Sequence, residues 1–186
     1  VKPDLVGAIL PDLDLGADQT LLSIAAGVST DLLEPETDAT VVRVMPNLAA
    51  EYGMMAAAVT GDVTDEIREI LGAVGEFVEV DEAQMDIATA VNGSGPAFVF
   101  YLLDAMAKAG VEGGLSRTEA RTLAAQTFKG AAETVKQSEK SIEDLIDAVC
   151  SPKGTTIEGM DVLWDSDVER EVGAAVAAAE ERSKEL

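Results

Sequence analysis

The sequence predicts an α/β segment followed by an all-α segment. Short apolar runs alternate with helical patterns up to about Val80, whereas residues 81–186 contain almost no strand pattern. The alternation of strands with helices is typical of a mostly parallel sheet. We therefore expect two domains, a partial sheet domain over residues 1–80 and a helical domain over residues 81–186.

Four apolar runs are the strand candidates of the first domain. They are LLSIAAG from Leu21, TVVRVMPN from Thr40, MMAAAVTGD from Met54 and EFVEVDE from Glu76. Between the last two runs, DEIREILGAVG has apolar residues at helical spacing and ends at Gly75. This pattern predicts an amphipathic helix.

The second domain is predicted to be a series of helices. Gln84–Asn92 has a helical pattern that GSGP interrupts, and the pattern resumes over Ala97–Ala109. Ser116 followed by Glu119 has the spacing of a capping box, which predicts the start of a long helix. The remaining predicted helices are Ser141–Val149 and the segments IEGMDVLWD and VEREVGAAVAAAEERSKEL.

The composition excludes several classes of protein. The 35 acidic residues outnumber the 13 basic ones, so the net charge is -22, and such a surface repels nucleic acid and anionic membranes. No apolar run is long enough to span a bilayer, and no signal peptide is visible. The single cysteine, Cys150, cannot form an internal disulfide, which is typical of a reducing compartment. We therefore expect a cytoplasmic location.

The residues that could perform chemistry are few. There is no histidine, so imidazole general bases and ordinary zinc sites are not expected. The segment SPKGTT, from Ser151 to Thr156, precedes a helical pattern. Gly154 permits close backbone approach, and the N–H groups of Thr155 and Thr156 would point outward from a helix N-terminus, where anions bind. Taken alone, the segment favours an ordinary helix cap over an anion site.

Several segments together resemble the pyrroline-5-carboxylate reductase family. DAVCSPKGTTIEGMDVL resembles the family signature, whose core is SPGGTT or SPGGAT. VKP, SIAAGVS, RVMPN, AVNGSGPAFVF and GLSRTEARTLAAQTFKGAA resemble other family segments, in the family's order and spacing over essentially the whole chain.

The resemblance implies a fold and an assembly. It implies the C-terminal part of a Rossmann-type dinucleotide-binding domain, followed by a helical dimerisation domain that forms a homodimer or a higher homo-oligomer. It also places the first βαβ unit, with its glycine-rich phosphate loop, before Val1. We therefore expect the 186-residue chain alone to be inactive and to bind NADPH weakly.

The resemblance implies reduction of the C=N bond of 1-pyrroline-5-carboxylate to L-proline, with hydride from NADPH or NADH. The substrate carboxylate would be held by backbone N–H groups of Gly154, Thr155 and Thr156, in the motif that Ser151 begins. The hydroxyl of Thr156 would be the catalytic group that contacts the ring nitrogen. Glu82 matches a family acid near the substrate, and it is equally well explained as a carboxylate at a helix start.

The resemblance also implies a cofactor site. Small side chains beside the nicotinamide would let the backbone approach the ribose and the ring. The sequence does not distinguish a preference for NADPH from one for NADH, because the residues that set this preference would precede Val1. Lys153 stands where the family usually has glycine, and a positive φ there would strain a lysine. The residues implied to contact the cofactor, or to order the loop beside it, are Val1, Lys2, Pro3, Ile24, Ala25, Ala26 and Asn47.

Two alternatives remain open at this point. One is a non-catalytic, dimerising fragment of such a reductase that has lost cofactor binding. The other is a reductase like the β-hydroxyacid dehydrogenases, which use a lysine early on a helix of the second domain. Here the corresponding helix is GSGPAFVFYLLDAMAKAG, in which Lys108 comes late, so this second alternative has little support.

The acidic surface generates a prediction about salt. The acids are interspersed with apolar residues, so the pattern indicates a folded protein adapted to high salt rather than a disordered acidic chain. We expect the melting temperature to rise steeply between dilute buffer and molar KCl, because screening relieves the self-repulsion of the carboxylates. Thermal unfolding followed by circular dichroism would check this, and a flat response would exclude the hypothesis.

Overall fold

The computed structural model of the protein describes residues 1–186. The strands are β1 (Thr20–Ser23), β2 (Thr40–Pro46), β3 (Met55–Gly61) and β4 (Gly75–Glu79). The α-helices are α1 (Pro3–Ile9), α2 (Thr30–Leu33), α3 (Asp65–Gly72), α4 (Met85–Ala88), α5 (Gly95–Glu112), α6 (Arg117–Gln137), α7 (Ile142–Val149), α8 (Thr155–Trp164) and α9 (Val168–Lys184).

The chain forms two compact units. The first unit consists of Val1–Pro96 together with Ala174–Leu186, and the second consists of Ala97–Gly173. All four strands belong to the first unit, and the second is helical, so the predicted combination of an α/β part and an all-α part is confirmed. The functional boundary after Val80 stays a prediction.

The sheet has the strand order β1-β2-β3-β4. The pairings β1–β2 and β3–β4 are parallel, as the alternation of strands and helices predicts. The pairing β2–β3 is antiparallel, which the sequence pattern did not indicate. Residues 47–54 connect these two strands through a short 3-10 turn, and a parallel crossover needs a dozen or more residues, so the chain must reverse direction here.

β2 is the buried centre of the sheet. Val42 and Val44 lie in an apolar cluster that includes Ile67 and Leu71 of α3. On the opposite face, Val41 packs in a second cluster with Leu10 and Leu33. Because side chains alternate along a strand, burial of both sets means that helices cover both faces of β2.

The segment before α5 is less regular than the single helix predicted over Gln84–Asn92. It consists of a 3-10 turn at Glu82–Gln84, the short helix α4 and a π-helical turn at Thr89–Gly93. The hydroxyl of Thr89 donates to the backbone oxygen of Met85 at 2.7 Å, and such back-bonding distorts helices. The predicted break at GSGP is also shorter than expected, because α5 begins at Gly95 and Pro96 is tolerated in a first helical turn.

The helical unit begins its long helix as predicted. The Ser116 hydroxyl accepts from the Glu119 N–H at 3.2 Å, and the Ser116 N–H donates to the Glu119 carboxylate at 2.8 Å. Hydrogen bonding of the Glu119 carboxylate to the side chain and to the backbone N–H of Ser116 lowers the pKa of this carboxyl group, because it favours the charged form. No helix of the protein is both long enough and apolar enough to cross a bilayer.

Gly61 and Gly53 both have positive φ but differ in their surroundings. Gly61, at the end of β3, has a φ of 105°, and an added Cβ would lie 2.3 Å from the backbone oxygen of Val41. Gly53 has a φ of 67°, and an added Cβ would meet nothing within 4 Å. A side chain at Gly61 would therefore push apart β2 and β3, whereas one at Gly53 would add backbone strain alone.

We expect Gly61→Ala to lower the free energy of unfolding by about 3 kcal/mol or more, because strain and overpacking against backbone add together. The matched control, Gly53→Ala, should cost about 1 kcal/mol, since only the strain applies. Urea denaturation of both variants would measure the difference. Equal losses at the two positions would contradict the close approach of the backbones.

Candidate active site

The carboxyl ends of β1 and β2 lie at one edge of the sheet. The two strands are parallel with Ser23 opposite Arg43, so the turn after β1 and the loop after β2 leave from the same side. In open α/β sheets, this edge is where ligands bind. The structure thus brings the predicted cofactor residues Ile24, Ala25 and Ala26 to the same edge as Asn47.

Val1 lies beside this turn. It lines a shallow apolar groove of about 160 Å³ together with Ile24 and Ala25. Lys2 is in extended backbone immediately before α1, and Pro3 is the first residue of that helix, where the missing N–H of proline is harmless. Val1, Ile24 and Ala25, which are all predicted to lie near the nicotinamide, therefore line one surface of the first unit.

The turn between β1 and α2 is held by contacts at both ends and in the middle. At its start, the Ala25 N–H donates to the Ser23 hydroxyl at 3.4 Å. In its middle, Gly27 has a φ of 73° and packs so closely on the C-terminal residue that an added Cβ would lie 2.6 Å from the Cβ of Leu186. At its end, the N–H and hydroxyl of Thr30 donate to Glu82 at 3.4 and 3.1 Å.

Asn47 orders the loop after β2 through its whole carboxamide. Its Oδ1 accepts from the N–H groups of Ala49 at 3.1 Å and Ala56 at 3.3 Å, and its Nδ2 donates to the backbone oxygen of Asn92 at 3.2 Å. Asn92 in turn donates to the backbone oxygens of Met45 and Ala56, at 2.7 and 2.9 Å. These bonds support the predicted ordering role of Asn47.

Glu82 forms an ion pair with Arg43 of β2. Only 6% of the Arg43 side chain is exposed, compared with 27% of the Glu82 side chain. Both carboxylate oxygens of Glu82 have partners inside the first unit, since one accepts from Arg43 and the other from Thr30. Glu82 is also the first residue of a 3-10 turn, which agrees with its interpretation as a carboxylate at a helix start.

The SPKGTT segment forms a tight turn in the second unit, directly before α8. The Gly154 N–H donates to the Ser151 backbone oxygen at 2.9 Å and closes the turn. Gly154 is then the N-cap of α8, and no side chain caps that helix. The first N–H groups of α8, from Thr155 onward, therefore keep their capacity to donate to an anion.

Gly154 is required in this turn for spatial reasons. Its φ is -81°, which any residue adopts, but an added Cβ would lie 2.4 Å from the Ser151 hydroxyl and 2.9 Å from the Ser151 backbone oxygen. Thr156 is half-buried on the first turn of α8, whereas Thr155 is exposed. The segment thus combines backbone donors with one partly enclosed hydroxyl.

Comparison with known proteins identifies the family. The family model described as "Pyrroline-5-carboxylate reductase dimerisation" matches residues 82–186. A pyrroline-5-carboxylate reductase of Methanosarcina acetivorans is 39% identical over 100% of this chain and 73% of its own length. The chain belongs to the pyrroline-5-carboxylate reductase family.

Solved structures of pyrroline-5-carboxylate reductases agree with this assignment. The enzyme from Coxiella burnetii superimposes with a TM-score of 0.91 and 31% identity, covering 100% of this chain and 73% of that one. The enzyme from Plasmodium falciparum, whose crystal structure has NADP bound, superimposes with a TM-score of 0.86 and 34% identity, covering 99% of this chain and 78% of that one. The similarity thus extends over both units of the chain.

Three residues that support the candidate site were not predicted from the sequence. Arg43 was visible as a lone charge within an apolar strand, and such a charge needs a buried partner. Thr30 and Asn92 gave no comparable indication, because their contacts join residues far apart in the chain. The structure brings together no group of three His, Cys, Asp or Glu side chains that could hold a metal ion.

Lys153 departs from the family pattern at a strained position. Its φ is 61°, in the left-handed region that favours glycine, so the condition for strain stated from the sequence is met. Lys153 is the third residue of the turn that the hydrogen bond from the Gly154 N–H to the Ser151 backbone oxygen closes, and a positive φ at this position is typical of turns that have glycine there.

We expect Lys153→Gly to be more stable than Lys153→Ala by about 1 kcal/mol. Both variants remove the charge, but only glycine adopts the left-handed conformation without a Cβ clash. Chemical denaturation of the two variants would isolate the backbone strain from the charge. Equal stability, or greater stability of the alanine variant, would show that position 153 is not strained.

Proposed function

We propose that this protein reduces 1-pyrroline-5-carboxylate to L-proline with NADPH or NADH. The observation that carries the proposal is the uncapped start of α8 behind the SPKGTT turn, which presents backbone donors and the Thr156 hydroxyl together. That arrangement fits a small substrate with one carboxylate and one reacting ring nitrogen. Membership of the family supports the same reaction and argues against a β-hydroxyacid-dehydrogenase-like activity.

The substrate carboxylate is held by main-chain donors in this proposal. The N–H groups of Gly154, Thr155 and Thr156 would bind it, assisted by the positive end of the helix dipole. In the free protein the Gly154 N–H donates to the Ser151 backbone oxygen, so Gly154 would join the carboxylate site by exchanging this hydrogen bond for one to the substrate. No basic side chain is required, which suits a chain with so few lysines and arginines.

The Thr156 hydroxyl is proposed to donate to the ring nitrogen of the substrate. Reduction of a C=N bond adds hydride to carbon and a proton to nitrogen. As hydride reaches the carbon, electron density builds up on the nitrogen, and a hydrogen-bond donor beside the nitrogen stabilises it in the transition state. Its half-buried position limits competition from water and strengthens the hydrogen bond.

The cofactor is proposed to bind at the carboxyl edge of β1 and β2. The small side chains of Ala25 and Ala26 fit the close approach of a nicotinamide and its ribose, and the Val1 groove continues the same surface. When bound, NAD(P)H supplies the hydride. Ile24 and Pro3 would shield the site with apolar surface, Lys2 would lie at its margin, and Asn47 would keep the neighbouring loop in place.

The helical region is proposed to form a homodimer or a higher homo-oligomer, and the functional boundary is proposed to follow Val80. The dimerisation match over residues 82–186 supports both statements. Helices of the second unit also expose large apolar side chains, which are typical of a surface that associates. They include Phe100, Tyr101, Leu123 and Trp164. A cytoplasmic location and adaptation to high salt complete the proposal.

Thr156→Ala in the complete gene product is expected to lower kcat about 10²-fold or more, because one transition-state hydrogen bond is lost. The assay is pyrroline-5-carboxylate-dependent oxidation of NADPH in high salt. Thr156→Ser is the matched control, since it keeps the hydroxyl and should keep most of the rate. A near-native kcat for the alanine variant would refute the role of Thr156, and an inert wild-type protein would favour the non-catalytic alternative.

A further inference from the structure

The carboxylate of Glu82 connects three parts of the first unit. Glu82 lies after β4, Arg43 lies on β2, and Thr30 is the first residue of α2. One oxygen of Glu82 pairs with the Arg43 guanidinium, and the other accepts from the N–H and the hydroxyl of Thr30. A single side chain thus joins segments that are 39 and 52 positions away in the sequence.

Burial makes this connection difficult to break. Arg43 is only 5% exposed as a residue, and it is flanked along β2 by buried valines. A buried guanidinium needs a compensating charge, and Glu82 provides the ion pair that the structure records. The Glu82 carboxylate is therefore confined to one place by Arg43, and from that place it reaches Thr30.

Thr30 connects the Glu82 carboxylate to the turn of residues 24–29, which is proposed to contact the cofactor and is called the cofactor turn. It directly follows residues 24–29, whose start is fixed by Ser23 and whose middle lies against Leu186. Without Glu82, the N–H and hydroxyl of Thr30 would lose the partner that holds the end of this turn. Because alanine side chains make no hydrogen bonds, the positions of Ala25 and Ala26 depend on the contacts of Ser23 and Thr30 at the two ends of the turn.

We propose that Glu82 is a positioning residue that acts through Thr30 to hold the turn of residues 24–29 in the shape that accepts the nicotinamide end of the cofactor, with Arg43 holding Glu82 in place. This inference rests on the proposed function and assigns Glu82 to the cofactor turn instead of to direct substrate contact. The exposed pair Arg68–Glu79, in which each side chain is about half exposed, has no such role and provides an internal control.

The primary test uses Thr30, because removal of Glu82 would leave a buried charge unpaired and could prevent folding. Thr30→Val in the complete gene product removes the hydroxyl but keeps the side-chain shape, and Thr30→Ser restores the hydroxyl. We expect the valine variant to raise the KM and the Kd for NADPH about tenfold, since a hydrogen bond to a charged group is lost. Its kcat and its KM for pyrroline-5-carboxylate should change less than about twofold, and the serine variant should match the wild type.

A second measurement does not depend on activity. Amide hydrogen exchange of the cofactor-free protein should be faster over residues 24–30 in Thr30→Val, by about tenfold, and unchanged in Thr30→Ser. Glu82→Gln, which retains an acceptor but weakens the pairing with Arg43, should shift exchange and cofactor KM in the same direction. Glu79→Gln should shift neither.

The outcomes separate the hypotheses. Faster exchange over residues 24–30 together with a raised cofactor KM supports the positioning role. Unchanged exchange, unchanged cofactor affinity, or an effect of Glu82→Gln confined to the substrate KM would overturn it in favour of direct substrate contact or a purely structural role. Failure of the wild-type protein to oxidise NADPH with pyrroline-5-carboxylate would instead overturn the proposed function itself.

Discussion

The burial of β2 on both faces is the constraint on which the rest of the first unit depends. The strand pairs with β1 on one side and with β3 on the other, and its valines contribute to two separate apolar clusters. An arginine in such a strand cannot reach bulk water, so it requires an anionic partner from elsewhere in the unit. Glu82 meets that requirement, and the loop that delivers Glu82 is thereby tied to the strand. At the carboxyl edge of the sheet, Glu82 also accepts from Thr30, and Asn47 holds the loop after β2 through separate hydrogen bonds.

The proposed substrate site and the proposed cofactor site each use backbone geometry more than side-chain chemistry. At the start of α8, a glycine that must remain small brings a tight turn and a helix N-terminus together, and only Thr156 adds a functional side chain. At the sheet edge, the predicted cofactor residues are small or apolar, and the polar groups around them hold loops in place. A protein without histidine can still support hydride transfer in this way, because the cofactor provides the reacting hydride and the protein provides orientation and hydrogen bonds.

Local patterns in the sequence were sufficient for much of the fold. The run TVVRVMPN predicted β2, and the pair Ser116 and Glu119 predicted the start of α6, because each depends on residues close together in the chain. The antiparallel turn between β2 and β3 was not predicted, since apolar periodicity does not record strand direction. The irregular segment from Glu82 to Gly93 was also missed, because the amide of Asn92 binds backbone oxygens more than thirty positions away. The SPKGTT turn was located from the sequence by its resemblance to a family motif, whereas the strain at Lys153 and the close packing at Gly154 depend on the folded shape of the turn.

The left-handed conformation of Lys153 also has a consequence in terms of the genetic code. Lysine codons differ from glycine codons at both of the first two bases, so an exchange between them by single-base changes passes through arginine or glutamate. Each intermediate has a Cβ, and each would therefore bear the same backbone strain at a φ of 61°. A path from glycine to lysine at this position would therefore incur the strain at its first base change. The second base change, to lysine, reverses the charge beside the turn if it starts from glutamate and leaves it unchanged if it starts from arginine, and neither step adds backbone strain.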